Sequence, residues 1–217
     1  MTAACIFDLD GVLVDSGASH RAAWASLLEE LGVVPPRDDY WRLTIGRPSE
    51  EALPLLLGRR LPDWESYDLA RRKRDLYHAH ARRGLAPVAG VTAFVEHLVA
   101  AGVPRAVGTS AGQHDVGRIL HGLGVGRHFP VVVTADDVRL GKPDPEVYVL
   151  AARRLRVAPE ACVVFEDSVV GIEAARRAGM RAVGVATAYA EDELRAAGAE
   201  RVIDDFEGLT WSTIAPR

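Results

Sequence analysis

Asp8 and Asp10 stand two apart in "FDLDGVLVDS", residues 7–16, directly after the apolar stretch Ala4, Cys5, Ile6, Phe7. Like charges that close repel, and burying either one unpaired is costly. A chain that ends an apolar run on two carboxylates therefore has a use for them. Three other places carry groups of matching chemistry. Thr109 and Ser110 close the run "VPRAVGTS", Lys142 stands in "RLGKPDPEVY", and Glu166 and Asp167 close "CVVFEDS". If these runs are neighbours in space, four carboxylates gather at one spot and need a cation. An all-oxygen donor set favours a hard ion, Mg²⁺ above the others. A metal, a compact ammonium, a hydroxyl and helix N-termini together make a site for phosphate.

Taken singly, each signal is weak. An Asp-x-Asp pair also serves as a turn or a cap, and Thr-Ser at a strand end often caps the next helix. The reading rests on the order and spacing of all four along one chain. Lysine usage adds to it. Only Lys73 and Lys142 are lysines, and the other 24 of the 26 basic residues are arginine. A lysine kept against that bias is a better functional candidate than lysine usually is.

The elements that must position these groups alternate. Short Val-rich runs read as strands at residues 3–7, 103–109, 131–134, 162–167 and 181–187, with one more at 201–203. Amphipathic stretches between them read as helices: "VTAFVEHLVAAG", "DVGRILHGLG", "DPEVYVLAARRL", and "SVVGIEAARRAG" with Ser168 as its N-cap. Strand–helix alternation with apolar strands argues a parallel α/β sheet of Rossmann-like type. In such sheets ligands bind beyond the carboxyl ends of the strands, where the acidic pairs lie. Residues 17–83 break the alternation with three helical stretches. In the first, Ala23, Leu27, Leu28 and Leu31 share one side. The expected organisation is a catalytic core formed by residues 1–16 and 84–217 and a helical cap inserted at 17–83.

The chain has 217 residues, 48% apolar and 26% charged, with a net charge of −4. That length buries a real core, and that charge offers no basic field for nucleic acid or an acidic membrane surface. The basic run "RRKR" at 71–74 is expected to be a solvated helix face. Cys5 and Cys162 lie in apolar runs and read as small buried hydrophobes. No apolar run reaches spanning length and no targeting pattern opens the chain, so the expected address is cytoplasmic.

The motifs as a set resemble the haloacid dehalogenase superfamily, in its helical-capped branch of sugar phosphatases and β-phosphoglucomutases. "DLDGVLVDS", the Thr109–Ser110 pair, "GKPDPEVY" and "FEDSVVGIEAARRAGM" match that family's four motifs over essentially the whole chain. The resemblance implies Mg²⁺-dependent phosphoryl transfer to and from a small phosphorylated metabolite. It makes Asp8 the nucleophile that becomes an aspartyl-phosphate and Asp10 the general acid, then base. It implies a metal held by Asp8, Asp167 and the backbone carbonyl of Asp10, with Glu166 close by. Thr109 and Lys142 would hold the phosphoryl oxygens, with Ser110 beside them at the substrate. One carboxylate of the opening pair is expected to stay ionised on the metal while its neighbour carries a proton at the moment the leaving oxygen needs it.

The cap is expected to read the substrate through His20, Arg47 and Lys73. His20, Trp24 and Lys73 match mutase positions. Ile45 and Ser49 depart from them, standing where a mutase carries a lysine and a phosphate-clamping arginine. Hydrolysis of a sugar phosphate is therefore the expectation, with a phosphomutase as the alternative. A binding module without turnover is disfavoured, since nucleophile and acid/base are both present.

Overall fold

The computed structural model describes residues 3–215. Six parallel strands form one sheet in the order β5-β4-β1-β6-β7-β8, with β1 at Ala4–Phe7, β4 at Arg105–Gly108, β5 at Val131–Val133, β6 at Cys162–Glu166, β7 at Arg181–Val185 and β8 at Arg201–Ile203. β1 and β8 end where the sequence places them, and β4, β5, β6 and β7 stop one or two residues earlier than expected. Every residue of β1 is buried, and alternate side chains feed different cores. Cys5 and Phe7 join a phenylalanine-rich cluster with Phe94, Phe165 and Phe206. Ala4 and Ile6 join an alanine-rich cluster with Ala151, Ala152, Ala174 and Ala175. Cys5 and Cys162 are buried free thiols, one in each cluster, as the sequence implied.

Helices cover both faces: α4 (Val91–Ala100), α5 (Gln113–Gly122), α6 (Glu146–Leu155), α7 (Val169–Arg177) and α8 (Glu191–Ala197). The Ser168 side chain caps α7 by accepting from the Gly171 N–H at 3.0 Å. The short α8 was not anticipated. Nor was a two-stranded antiparallel ribbon, β2 (Val14–Asp15) with β3 (Ala86–Pro87), through which the chain leaves and re-enters the core.

Between β2 and β3 lie α1 (Gly17–Glu30), a 3₁₀ turn (Tyr40–Leu43), α2 (Ser49–Leu57) and α3 (Asp63–His80). They close around their own cluster of Trp24, Leu27, Ala52, Leu53, Leu56 and Ala70. Pro54 lies inside α2 and offers no N–H to the Glu50 carbonyl. That carbonyl instead accepts from the Ser66 hydroxyl of α3 at 3.3 Å. Two expectations fail here. Leu31 is 40% exposed, because it follows the last turn of α1 instead of lying on its buried side. The 71–74 run is not uniformly solvated either. Arg71, Arg72 and Arg74 are exposed, but Lys73 is buried. It is held under the aromatic rings of Trp24 and Tyr77. Among the described residues, no helix is long and apolar enough to cross a membrane.

Candidate active site

Strand order explains the convergence. β1 lies between β4 and β6, so the residues that follow these three strands share one edge of the sheet. Asp8 extends β1 by donating its N–H to the Phe165 carbonyl at 3.0 Å, and Thr109 extends β4 toward Val133 at 3.0 Å. The chain then turns sharply at Gly11, whose φ of +74° suits glycine. A Cβ there would lie 1.9 Å from Asp167 Oδ2, so glycine is also what lets the Asp167 carboxylate stand beside Asp8.

Lys142 comes from the loop before α6 and is 1% exposed. Its Nζ donates to Asp8 Oδ1 at 2.9 Å and to Glu166 Oε1 at 2.6 Å. Burial acts to strip its proton, but Asp8 and Glu166 outweigh that and hold its pKa above the ordinary lysine value. Glu166 is fully buried, and each of its oxygens already has two donors. Oε1 takes Lys142 and the Tyr148 hydroxyl at 2.8 Å, and Oε2 takes the N–H and hydroxyl of Ser168 at 2.9 and 2.8 Å. Glu166 thus belongs to the acidic cluster but is committed to holding Lys142. Thr109 is buried, and its Oγ1 accepts from the Ala111 N–H at 3.1 Å, which leaves its own proton for an acceptor in the cavity.

Asp10 looks toward the cap. Its Oδ1 accepts from Ser16 at 2.5 Å and from His20 Nε2 at 3.2 Å. Lys73 Nζ lies 2.7 Å from His20 Nδ1. An ammonium has no acceptor capacity, so Nδ1 accepts and Nε2 carries the ring proton toward Asp10. Burial, then the Lys73 charge, keep the His20 pKa below normal, in keeping with a neutral ring. The imidazole stacks on Tyr77 at 4.2 Å between centroids. Burial pulls the Lys73 pKa down to about 8.

The two aspartates of the opening pair differ in proton affinity when no metal is bound. Burial raises Asp8 to about 7, with Glu166 and Asp10 adding to it against Lys142. Burial also acts to raise Asp10, but the His20 and Ser16 contacts and Lys73 carry it down to about 2. Burial, then Glu166 and Asp8, push Asp167 well up. One oxygen each from Asp8, Glu166 and Asp167 lie within 4.8 Å of one another. A buried carboxylate cluster answered by one ammonium is short of positive charge, and its all-oxygen donors fit a hard divalent cation.

Above this edge lies a cavity of about 270 Å³ whose walls include Asp8, Asp10, Trp41, Arg47, Thr109 and Asp167. His20 and Lys73 reach it from the cap, as expected. Arg47 is half-buried, and its guanidinium makes no hydrogen bond or ion pair with another described residue. Ser110 lines the cavity too, and its hydroxyl donates to the Gly46 carbonyl of the cap loop at 2.9 Å, so it also ties the cap to the core. Ser16, Tyr77, Trp41 and Tyr148 were not singled out from sequence. Ser16 ends the first motif and Tyr148 the third, so the signal for both lies inside the motifs themselves.

A model of haloacid dehalogenase-like hydrolases matches residues 5–185. Validoxylamine A 7'-phosphate phosphatase of Streptomyces hygroscopicus subsp. limoneus is 34% identical over 215 residues, covering 97% of both chains. β-Phosphoglucomutase of Bacillus subtilis is 32% identical over 190 residues, covering 84% of this chain and 82% of its own. The crystal structure of a hydrolase from Pseudomonas syringae superposes with a TM-score of 0.91 at 28% identity, covering 99% of this chain and 100% of that one. With the buried acid–lysine cluster on the same sheet edge as the family's motifs, the chain belongs to the haloacid dehalogenase-like hydrolases.

Proposed function

We propose that this protein hydrolyses a small sugar phosphate through an aspartyl-phosphate on Asp8. The observation that carries the reading is Lys142, which bridges Asp8 and Glu166 while Asp10, two residues on, is held by separate donors. An Asp8 oxygen attacks phosphorus as the bond from phosphorus to the sugar oxygen breaks, and Asp10 gives that oxygen its proton. A water then loses a proton to Asp10 and attacks phosphorus, which breaks the bond to Asp8 and releases phosphate. The ionised Asp10 held by Ser16 and His20 is the form the second step uses. For the first step Asp10 carries the proton it took from water at the end of the preceding turnover, and His20, backed by Lys73, holds its carboxyl toward the leaving oxygen.

Mg²⁺ fits the donors of Asp8, Asp167 and the Asp10 carbonyl, and when bound it supplies charge neutralisation for the transferring phosphoryl group. Lys142 and Thr109 hold the phosphoryl oxygens from the core side. Lys142 also keeps Asp8 aimed while the water-poor setting strengthens each contact.

Phosphomutase is the second reading, favoured by the Asp10–His20–Lys73 chain and by the likeness to the Bacillus mutase. Ile45 and Ser49 weigh against it, since neither brings a positive charge to a second phosphate, and Arg47 is the one cation of that loop that could. The deciding experiment is a panel of sugar phosphates assayed with Mg²⁺, with and without a sugar bisphosphate. Free phosphate released without the bisphosphate supports hydrolysis. An isomeric sugar phosphate formed only with the bisphosphate overturns it.

A further inference from the structure

We propose that Tyr148 is a positioning residue for phosphoryl transfer. Its buried hydroxyl fixes the Glu166 carboxylate, and Glu166 in turn aims the Lys142 ammonium at Asp8. The proposal rests on the reading that Asp8 accepts the phosphoryl group.

Tyr148 lies in the first turn of α6, six residues after Lys142, so one loop-to-helix segment delivers both. It is fully buried in the alanine-rich cluster. Phenylalanine would fill that volume equally well, and a buried hydroxyl without a partner is costly. The Tyr148 hydroxyl has one: Glu166 Oε1 at 2.8 Å. The same oxygen accepts from Lys142 at 2.6 Å, and the Lys142 Nζ stands 4.9 Å from the centroid of the Tyr148 ring. The ring and its hydroxyl therefore touch both members of the ion pair. Gly108 of β4 leaves room for this ring, since a Cβ there would stand 3.2 Å from two of its carbons. Gly171 does the same for Glu166, whose Oε1 would lie 1.8 Å from an added Cβ.

Geometry gives the hydroxyl its purpose. A carboxylate held only by Lys142 would rotate with it. Three other donors, Tyr148 and the two groups of Ser168, fix the plane of Glu166 independently. Lys142 then has one place to stand, and that place also reaches Asp8 Oδ1 at 2.9 Å. Without the hydroxyl, one corner of the carboxylate loses its anchor and the ammonium drifts from the nucleophile.

The test is Tyr148→Phe, which keeps the ring over Lys142 and removes the donor. Groups that orient a functional side chain typically contribute 10–100-fold, so kcat should fall roughly tenfold with KM within about twofold. In a Lys142→Ala background the same substitution should cost nothing further, because there is no ammonium to aim. Gly108→Ala is the second variant. It presses on the ring but leaves the hydroxyl, and it should lower kcat in the same Lys142-dependent way. Normal kcat in both variants overturns the proposal. An equal loss with and without Lys142 also overturns it, leaving Tyr148 a packing role. A wild-type enzyme inactive on every phosphate ester would instead overturn the reading beneath it.

Discussion

Lys142 is the residue on which the electrostatics turn. It is 1% exposed, donates to two carboxylates and lies over an aromatic ring. A guanidinium is a broad planar fork, and no space remains for it between Asp8, Glu166 and Tyr148. Lys142→Arg is therefore expected to lose nearly as much kcat/KM as Lys142→Ala, with both proteins folded. A Lys142→Arg enzyme with near-normal kcat/KM would show that charge alone suffices. Asp8→Asn should abolish turnover, since an amide oxygen is a poor nucleophile in the same shape. Asp10→Asn should slow it by roughly 10²–10⁴-fold on a sugar phosphate and by much less on p-nitrophenyl phosphate, whose leaving group needs no acid. Equal losses on the two esters would remove the acid role from Asp10. Asp8 and Asp10 were legible because they close an apolar run, the part of a sequence whose structure is simplest to read, and Lys142 because it is one of two lysines among 26 basic residues. Glu166 and Tyr148 were less so. That one carboxylate is saturated by Lys142, Tyr148 and Ser168 is a fact of three dimensions, and the "ED" dipeptide says nothing of it.

At the scale of elements, the cap is held to the core by its 44–48 loop. Gly46 has φ +74°, and a Cβ there would lie 2.3 Å from Ser168 Oγ and 2.7 Å from a Val170 methyl. Its carbonyl also takes the Ser110 hydroxyl. Gly46→Ala therefore opposes the closed arrangement by about 1–3 kcal/mol of backbone strain, apart from the clash itself. It should lower kcat/KM by roughly tenfold or more for every substrate, since closure precedes any reading of the sugar. Arg47→Ala, one residue on, should behave differently. It should reduce kcat/KM for a sugar phosphate far more than for acetyl phosphate, which has no sugar to read. A uniform Arg47 loss, or a substrate-selective Gly46 loss, would reverse these assignments. Sequence pattern found the helices of the cap but not the β2–β3 ribbon. Two-residue strands carry no periodicity, and the pairing of Val14 with Pro87 joins residues far apart in the chain. The burial of Lys73 was hidden for a related reason. Its neighbours in sequence are arginines, while the rings that cover it come from Trp24 of another helix and from Tyr77 one turn along.

Across the whole molecule, cap and core are two apolar bodies joined by polar contacts. Arg42 pairs with Glu193 at 2.5 Å, the Tyr189 hydroxyl donates to the Arg42 carbonyl at 2.9 Å, and His78 meets Asp115 at 2.7 Å. Stability therefore responds to charge, and most of all at the acidic edge between the two bodies. Folding lifts Asp8 from 3.8 to about 7 and Asp167 well above 3.8. A carboxyl whose pKa is higher folded than unfolded stabilises fully below the unfolded value, and that contribution is lost as pH rises through the folded one. Asp10 has the opposite sign, but its folded value of about 2 confines the change to pH below 3.8. Lys73 is relieved of its burial penalty only above about 8. Between those limits the carboxylates at Asp8 and Asp167 lower stability as pH rises, and His20, whose depressed pKa works the other way up to its unfolded 6.5, offsets them only in part, one group against two. Protein held in chelator should thus lose thermal midpoint as pH rises from ~5 to ~7. If this cluster is the Mg²⁺ site, Mg²⁺ competes there with those protons and should raise the midpoint more at the upper pH than at the lower. Asp8→Asn in chelator should flatten the curve, because its amide does not titrate. Melting curves across that range, with chelator and with excess Mg²⁺, decide the matter. Parallel pH profiles in the two conditions would mean that Mg²⁺ does not displace protons from this edge, and the cluster would lose its standing as the metal site.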